Sequence, residues 1–97
     1  MRFIWDLQKS ENNFDRRGFD FTAVTLIFDG HVLEREDLRR AYGERRIVAV
    51  GIADGRYLTV VYTDRHGDRG VFRRIISARR SNRRERRTYD EAFADET

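Results

Sequence analysis

Apolar and polar positions alternate with period two over only a few stretches of the chain. Phe3 and Trp5 alternate with Arg2 and Ile4, so residues 2–5 predict a short strand. Asp6 suits the N-cap of a helix over about residues 7–16, with Leu7 and Phe14 as its apolar contacts, and Gly18 ends it. Asp20 caps a second helix, in which Phe21, Val24 and Phe28 fall on one stripe and predict core. Asp29-Gly30 is a turn, His31 to Glu34 a short extended piece, and residues 35–45, charged and containing Gly43, predict a mobile loop. Three strand patterns then follow closely: RIVAVGI from Arg46, YLTVVYT from Tyr57 and VFRRIISA from Val71. Ala53-Asp54-Gly55 joins the first two and residues 64–70 join the last two, so they predict one antiparallel meander. Asn82 with Glu85 three residues on is a capping-box pattern, predicting a last helix over about 83–93. The fold class is therefore α+β: a strand, two helices, three to four further strands and a C-terminal helix.

Composition changes this picture in two ways. Leu, Ile, Val and Phe number 5, 6, 7 and 7, or 25 of 97 residues. That is enough for one small ordered domain over 1–97 beneath a heavily charged surface. The charge is also unevenly spread. Residues 1–64 carry 10 basic and 11 acidic groups, residues 65–87 carry ten Arg against Asp68 and Glu85, and residues 88–97 carry four acids. The three nets are −1, +8 and −4, which sum to +3. The central block suits a polyanion. The acidic end, 91–97, is expected to be a disordered tail.

Cysteine is absent and the two histidines, His31 and His66, stand far apart. Disulfide scaffolds and cysteine chemistry are excluded, and no metal-ligand spacing is present. No apolar run approaches membrane-spanning length, so a cytoplasmic protein is expected. Chemistry then rests on carboxylates and arginines. Alternation along the last strand groups Arg73, Ile75, Ser77 and Arg79 on one face and Phe72, Arg74, Ile76 and Ala78 on the other. An arginine there either pairs with a carboxylate such as Glu44, Asp64 or Glu85, or holds phosphate through its fork of donors. Glu44 and Arg46, two apart at a strand entry, are either a salt bridge or a base beside a charge stabiliser. Tyr89 either docks its helix or contacts a base, and Lys9 is the single lysine.

In order and spacing these segments resemble the BrnT toxins of bacterial type II toxin–antitoxin modules. FIWDLQKSENN carries the pattern in Phe3, Trp5, Asp6, Lys9 and Asn13, and GFDFTAVTLIFD in Gly18, Phe21, Phe28 and Asp29. GERRIVAVG carries it in Gly43, Glu44 and Arg46, and the closing segments in Arg74, Ser77, Ala78, Arg79, Glu85 and Tyr89. The resemblance spans residues 2–90. It implies a RelE-like fold, cleavage of RNA that arrests growth, and neutralisation by a BrnA-type ribbon-helix-helix antitoxin. It further implies two toxins bound to two antitoxins, with DNA contacted only through the antitoxin.

On that footing the expected activity is that of a metal-independent endoribonuclease without a cofactor. Glu44, Arg46, Arg74 and Arg79 are the expected catalytic residues, and Lys9, Arg73, Arg80, Arg83 and Tyr89 the expected RNA contacts. Two departures bear on this. The family's Lys-His-Gly reads Arg16-Arg17-Gly18 here, and a loop histidine is replaced where Leu38-Arg39-Arg40 stands. With both histidines replaced, by Arg17 and Arg40, the alternative is a catalytically degenerate subunit that binds its antitoxin and supports autoregulation of the promoter.

Overall fold

A computed structural model describes residues 1–96. Five strands form one mixed sheet in the order β1-β5-β4-β3-β2, with β1 at Arg2–Trp5, β2 at Leu33–Glu36, β3 at Ile47–Ala53, β4 at Arg56–Gly67 and β5 at Gly70–Arg80. The expected meander is β3-β4-β5, antiparallel throughout. The N-terminal strand adds to its far edge parallel to β5, and β2 adds antiparallel to β3.

Local chemistry sets the helices. Asp6 accepts from the Lys9 backbone N–H to start α1 at Leu7–Arg17, and Gly18 ends it in the left-handed region at φ 85°. Asp20 accepts from the Ala23 N–H and starts α2, Phe21–Val24. That helix tightens at once into a 3₁₀ turn, Thr25–Asp29. With about three residues per turn instead of 3.6, the residue that follows Val24 into the core is Ile27, fully buried, while Phe28 is half-buried. Gly51 of β3 makes room for this turn: a Cβ there would lie 2.8 Å from the Cβ of Ile27. The capping box of Asn82 and Glu85 starts α3, Arg83–Ala92. The acidic end expected as a tail contains the last residues of α3 and a short 3₁₀ turn at Ala94–Glu96; Thr97 lies outside the described residues.

The core lies between one face of the sheet and the α1–α2 layer, where Phe21, Val24 and Ile27 meet Leu58, Val60, Tyr62 and Ile75. Two expectations are corrected here. Leu7 and Phe14 do not pack α1 onto the core; both are exposed, and α1 is anchored instead by polar groups. Buried Ser10 accepts from the Phe21 N–H at 2.9 Å, and Asn13 donates to the Phe19 carbonyl at 2.9 Å. The turn expected over 64–70 is mostly strand: β4 and β5 continue to Gly67 and Gly70, leaving two turn residues. At the other hairpin Asp54 and Gly55 both take positive φ, 52° and 74°, as a two-residue primed turn requires.

Candidate nucleic-acid interface

Pairing registers assign every strand residue to a face, because directly opposed residues point the same way. The face opposite the core carries Arg2 and Ile4 of β1, Phe72, Arg74 and Arg79 of β5, Thr59, Val61, Thr63 and Arg65 of β4, Val48 and Val50 of β3, and Leu33 and Arg35 of β2. Helix α3 covers one end of this face; Val48, Val50, Thr59 and Thr63 are buried along its middle, while Arg2, Ile4, Arg35 and Arg65 are exposed around them.

A bulge decides which arginines share it. Ser77 opposes Val61 and Ile75 opposes Tyr62, so Ile76 is an extra residue and the alternation of β5 shifts by one. Ile75 and Ala78 are consequently both core residues, three apart. The expected grouping of Arg73 with Arg79 is therefore corrected: Arg74 and Arg79 share the open face, whereas Arg73 lies on the core side. There Arg73 makes a bidentate pair with Asp64, at 2.8 and 3.0 Å, and covers the rings of Phe28 and Tyr62. Tyr62 in turn donates to Glu34. Arg73 is thus engaged in closing the end of the core.

At one end of the open face, Glu44 and Arg46 meet as the entry to β3 suggested. Arg46 Nε donates to Glu44 Oε2 at 3.0 Å, and Arg65 lies 3.5 Å from Glu44 Oε1. Arg46 and Glu44 are each about one-quarter exposed, so the pair is partly desolvated. The Arg46 guanidinium stacks 4.1 Å above the centre of the Tyr42 ring. Arg74 stands opposite Thr63, whose hydroxyl donates to the Arg45 carbonyl at 2.8 Å and ties β4 to the entry of β3. No ion pair fixes Arg74 among the described residues. Glu44 is thus a carboxylate between the guanidinium groups of Arg46 and Arg65, with Arg74 on the same face across from Thr63.

The loop that presents Glu44 and Arg46 is organised rather than merely mobile as its composition suggested. Asp37 is buried at 3% exposure. Its carboxylate accepts from Arg39 Nε and Nη2 at 2.9 and 2.8 Å, from the Arg39 N–H at 3.1 Å and from Tyr42 at 3.1 Å. The Asp37 N–H donates to the Arg46 carbonyl at 2.8 Å. The hydrogen bonds from the Arg39 side chain, helped by the backbone and Tyr42 donors, outweigh burial and hold this carboxyl well below the usual range.

The remaining candidates are dispersed. Arg79 is bound by both Glu85 oxygens at 2.7 and 2.9 Å. Burial opposes ionisation of Glu85, but Arg79 and the Asn82 N–H outweigh it and lower its pKa. Tyr89 is buried; its hydroxyl donates to the His31 carbonyl at 2.9 Å, which docks α3. Lys9 is exposed on α1, in the layer on the other side of the sheet. Arg80 is exposed opposite Leu58, on the core side, and Arg83 opens α3. Arg17 ends α1 and Arg40 is exposed in the 37–46 loop. Arg65, Asp37 and Tyr42 were not singled out by the sequence. A longer β4 pattern would have reached Arg65; the buried state of Asp37 left no local signal.

No group of three or more His, Asp or Glu among the described residues is placed to hold a metal. No helix among them is long and apolar enough to cross a membrane. A family model described as the ribonuclease toxin, BrnT, of type II toxin–antitoxin systems matches residues 5–85. No curated protein matches the chain.

Proposed function

The chain belongs to the BrnT family of ribonuclease toxins of type II toxin–antitoxin systems, and from that premise we propose that it is a cytoplasmic, metal-independent endoribonuclease acting on the open face of its sheet. The observation that carries this reading is the contact of Glu44 with Arg46 and Arg65, with Arg74 on the same sheet face across from Thr63. Cleavage of RNA without a metal needs a base for the ribose 2′-hydroxyl and positive charge around the phosphate that it attacks. Glu44 takes the proton from the 2′-oxygen, which bonds to phosphorus as the 5′-oxygen leaves, giving a 2′,3′-cyclic phosphate and a 5′-hydroxyl. Arg46, Arg65 and Arg74 balance the charge gathering on the phosphate oxygens. Arginine keeps its protons near neutrality, so water protonates the leaving oxygen. No imidazole takes part, in keeping with Arg17 and Arg40 where relatives carry histidine.

Growth arrest follows from RNA loss. The partner in this reading is a BrnA-type antitoxin, two copies with two toxins, and DNA is reached only through it. The test uses the chain freed of antitoxin, with single-stranded RNA in excess EDTA. Cleavage to cyclic-phosphate ends is expected, with RNA affinity falling steeply across a salt series. RNA that is bound but left intact moves the assignment to the degenerate subunit that binds antitoxin alone.

Arg79 has a different part from its neighbours. Its fork is filled by Glu85, so it holds the start of α3 against the sheet and lends charge only from the side. Replacing Arg79 with alanine leaves the Glu85 carboxylate partly buried without its partner. It is expected to lower both cleavage and thermal stability, whereas Arg86→Ala, on an exposed helix flank, alters only RNA affinity and its salt slope. Parallel melting curves and cleavage rates of the two variants check this.

A further inference from the structure

We propose that the cavity between α3 and the open sheet face is a nucleobase subsite, holding one unstacked base of single-stranded RNA beside the Glu44–Arg46 pair. This rests on the ribonuclease reading. The cavity measures about 630 Å³. Its floor is apolar: Leu33 and Val50 are directly opposed across β2 and β3, and Val48 follows on the same face. A flat heterocycle can lie on such a floor, and a phosphate cannot. Above it stand Asn82 and Thr88 of α3.

The hydrogen-bonding groups of this wall are already half committed, which determines what they can still offer. The Asn82 side-chain oxygen caps the Glu85 N–H at 2.8 Å, leaving its NH₂ to donate. The Thr88 hydroxyl donates to the Arg84 carbonyl at 2.9 Å, leaving its oxygen to accept. Arg79 and Glu85, which also line the cavity, are bound to each other, and Glu34 at its edge accepts from Tyr62. Asn82 and Thr88 therefore add one donor and one acceptor to spare, the pair of groups that reads the edge of a base. Arg35 and Arg84 also line the cavity, and neither has an ion-pair partner among the described residues. They suit the phosphates on either side of a base seated below.

Placement connects this cavity to the chemistry. Val48 is two residues beyond Arg46 and on the same face, a step of about 6.6 Å along a strand. A base on Val48 and Val50 therefore lies within one extended nucleotide of a phosphate at Arg46. With no aromatic side chain in the cavity, discrimination comes from the edge contacts rather than from stacking.

The test is titration of the full chain, freed of antitoxin, with AMP, GMP, CMP and UMP, and with ribose 5-phosphate as the probe without a base. The signals of the Leu33, Val48 and Val50 methyl groups are followed by NMR. Different affinities for the four nucleotides are expected, with shifts at these methyls that ribose 5-phosphate does not produce. Asn82→Asp keeps the helix cap but removes the NH₂ donor. It and Thr88→Val are expected to change the order of preference among the four nucleotides by about tenfold, and to change the preferred cleavage sites in a mixed RNA. Equal affinity for all five probes, or silent methyls, overturns the proposal. Methyl shifts caused by the antitoxin but by no nucleotide also overturn it and give the cavity to the protein partner. Ranked nucleotide binding by a chain that cleaves nothing supports the subsite while defeating the ribonuclease reading.

Discussion

Replacing Arg46 with alanine is expected to reduce RNA cleavage by about 100- to 1,000-fold with a much smaller loss of RNA affinity. An oriented donor that meets charge developing in the transition state typically contributes on that order. Arg46 is oriented from three sides: its Nε is bonded to Glu44, its plane lies on Tyr42, and its carbonyl is held by the Asp37 N–H. Its own contribution is therefore separable from that of a mobile surface charge. Arg46→Lys keeps the charge but loses the fork and the stacked plane, so it is expected to recover only part of the loss. Arg65→Ala, which removes an exposed and longer contact to Glu44, is expected to cost about tenfold. Glu44→Gln is the complementary variant: it removes the base and frees Arg46, so RNA binding strengthens while cleavage falls. Single-turnover rates and equilibrium affinities, measured on variants with unchanged melting temperatures, separate these effects. Equal losses of rate and affinity for Arg46→Ala would reduce its role to binding alone.

The parts of the molecule that could be read from the sequence are those whose signal is local. Asp6, Asp20 and Asn82 each act on an N–H three residues away, and each starts a helix where the capping pattern placed it. The Asp54-Gly55 turn and the three strand patterns likewise depend on neighbours in the chain. What could not be read was set by partners far along it. The bulge at Ile76 exists because Val61 and Tyr62 pair with residues that are not consecutive, and this one insertion moved Arg73 to the core side and joined Arg74 to the open face. The parallel docking of β1 beside β5 is likewise a long-range choice. Leu7 and Phe14 form an apolar pair seven apart on α1, yet the helix is held through Ser10 and Asn13, polar residues whose partners lie six or more positions away. For the site, Glu44 beside Arg46 was legible because two residues at a strand entry point alike. Arg65 was hidden by a strand that continues through an apparent turn, and Tyr42 and Asp37 by a loop whose order comes from one buried carboxylate.

That carboxylate carries the second large effect. Asp37→Ala is expected to destabilise the fold by about 2–4 kcal/mol at neutral pH, since it leaves an N–H and the Tyr42 hydroxyl without the acceptor around which the loop closes. The exposed Arg39 guanidinium regains water, so little of the cost arises from its half of the pair. The pH dependence has a definite sign. The Asp37 pKa is depressed on folding, below the value of about 3.9 for an unperturbed aspartate. The folded state therefore favours the ionised form, and the stabilisation is complete above that value. It is lost as pH falls below it towards the folded pKa. The gap between native chain and Asp37→Ala should be constant from about pH 8 to pH 5 and should narrow below about pH 4. Urea unfolding of both proteins at matched ionic strength across this range measures it. A gap that persists unchanged at pH 3 would mean that the loop is held by the shape of the side chain and not by its charge. At neutral pH the same variant is expected to slow cleavage more than it weakens RNA binding: alanine keeps the backbone N–H that donates to the Arg46 carbonyl, but Tyr42, whose ring lies under the Arg46 guanidinium, loses the carboxylate that holds its hydroxyl, and Arg46 loses part of its orientation towards the phosphate.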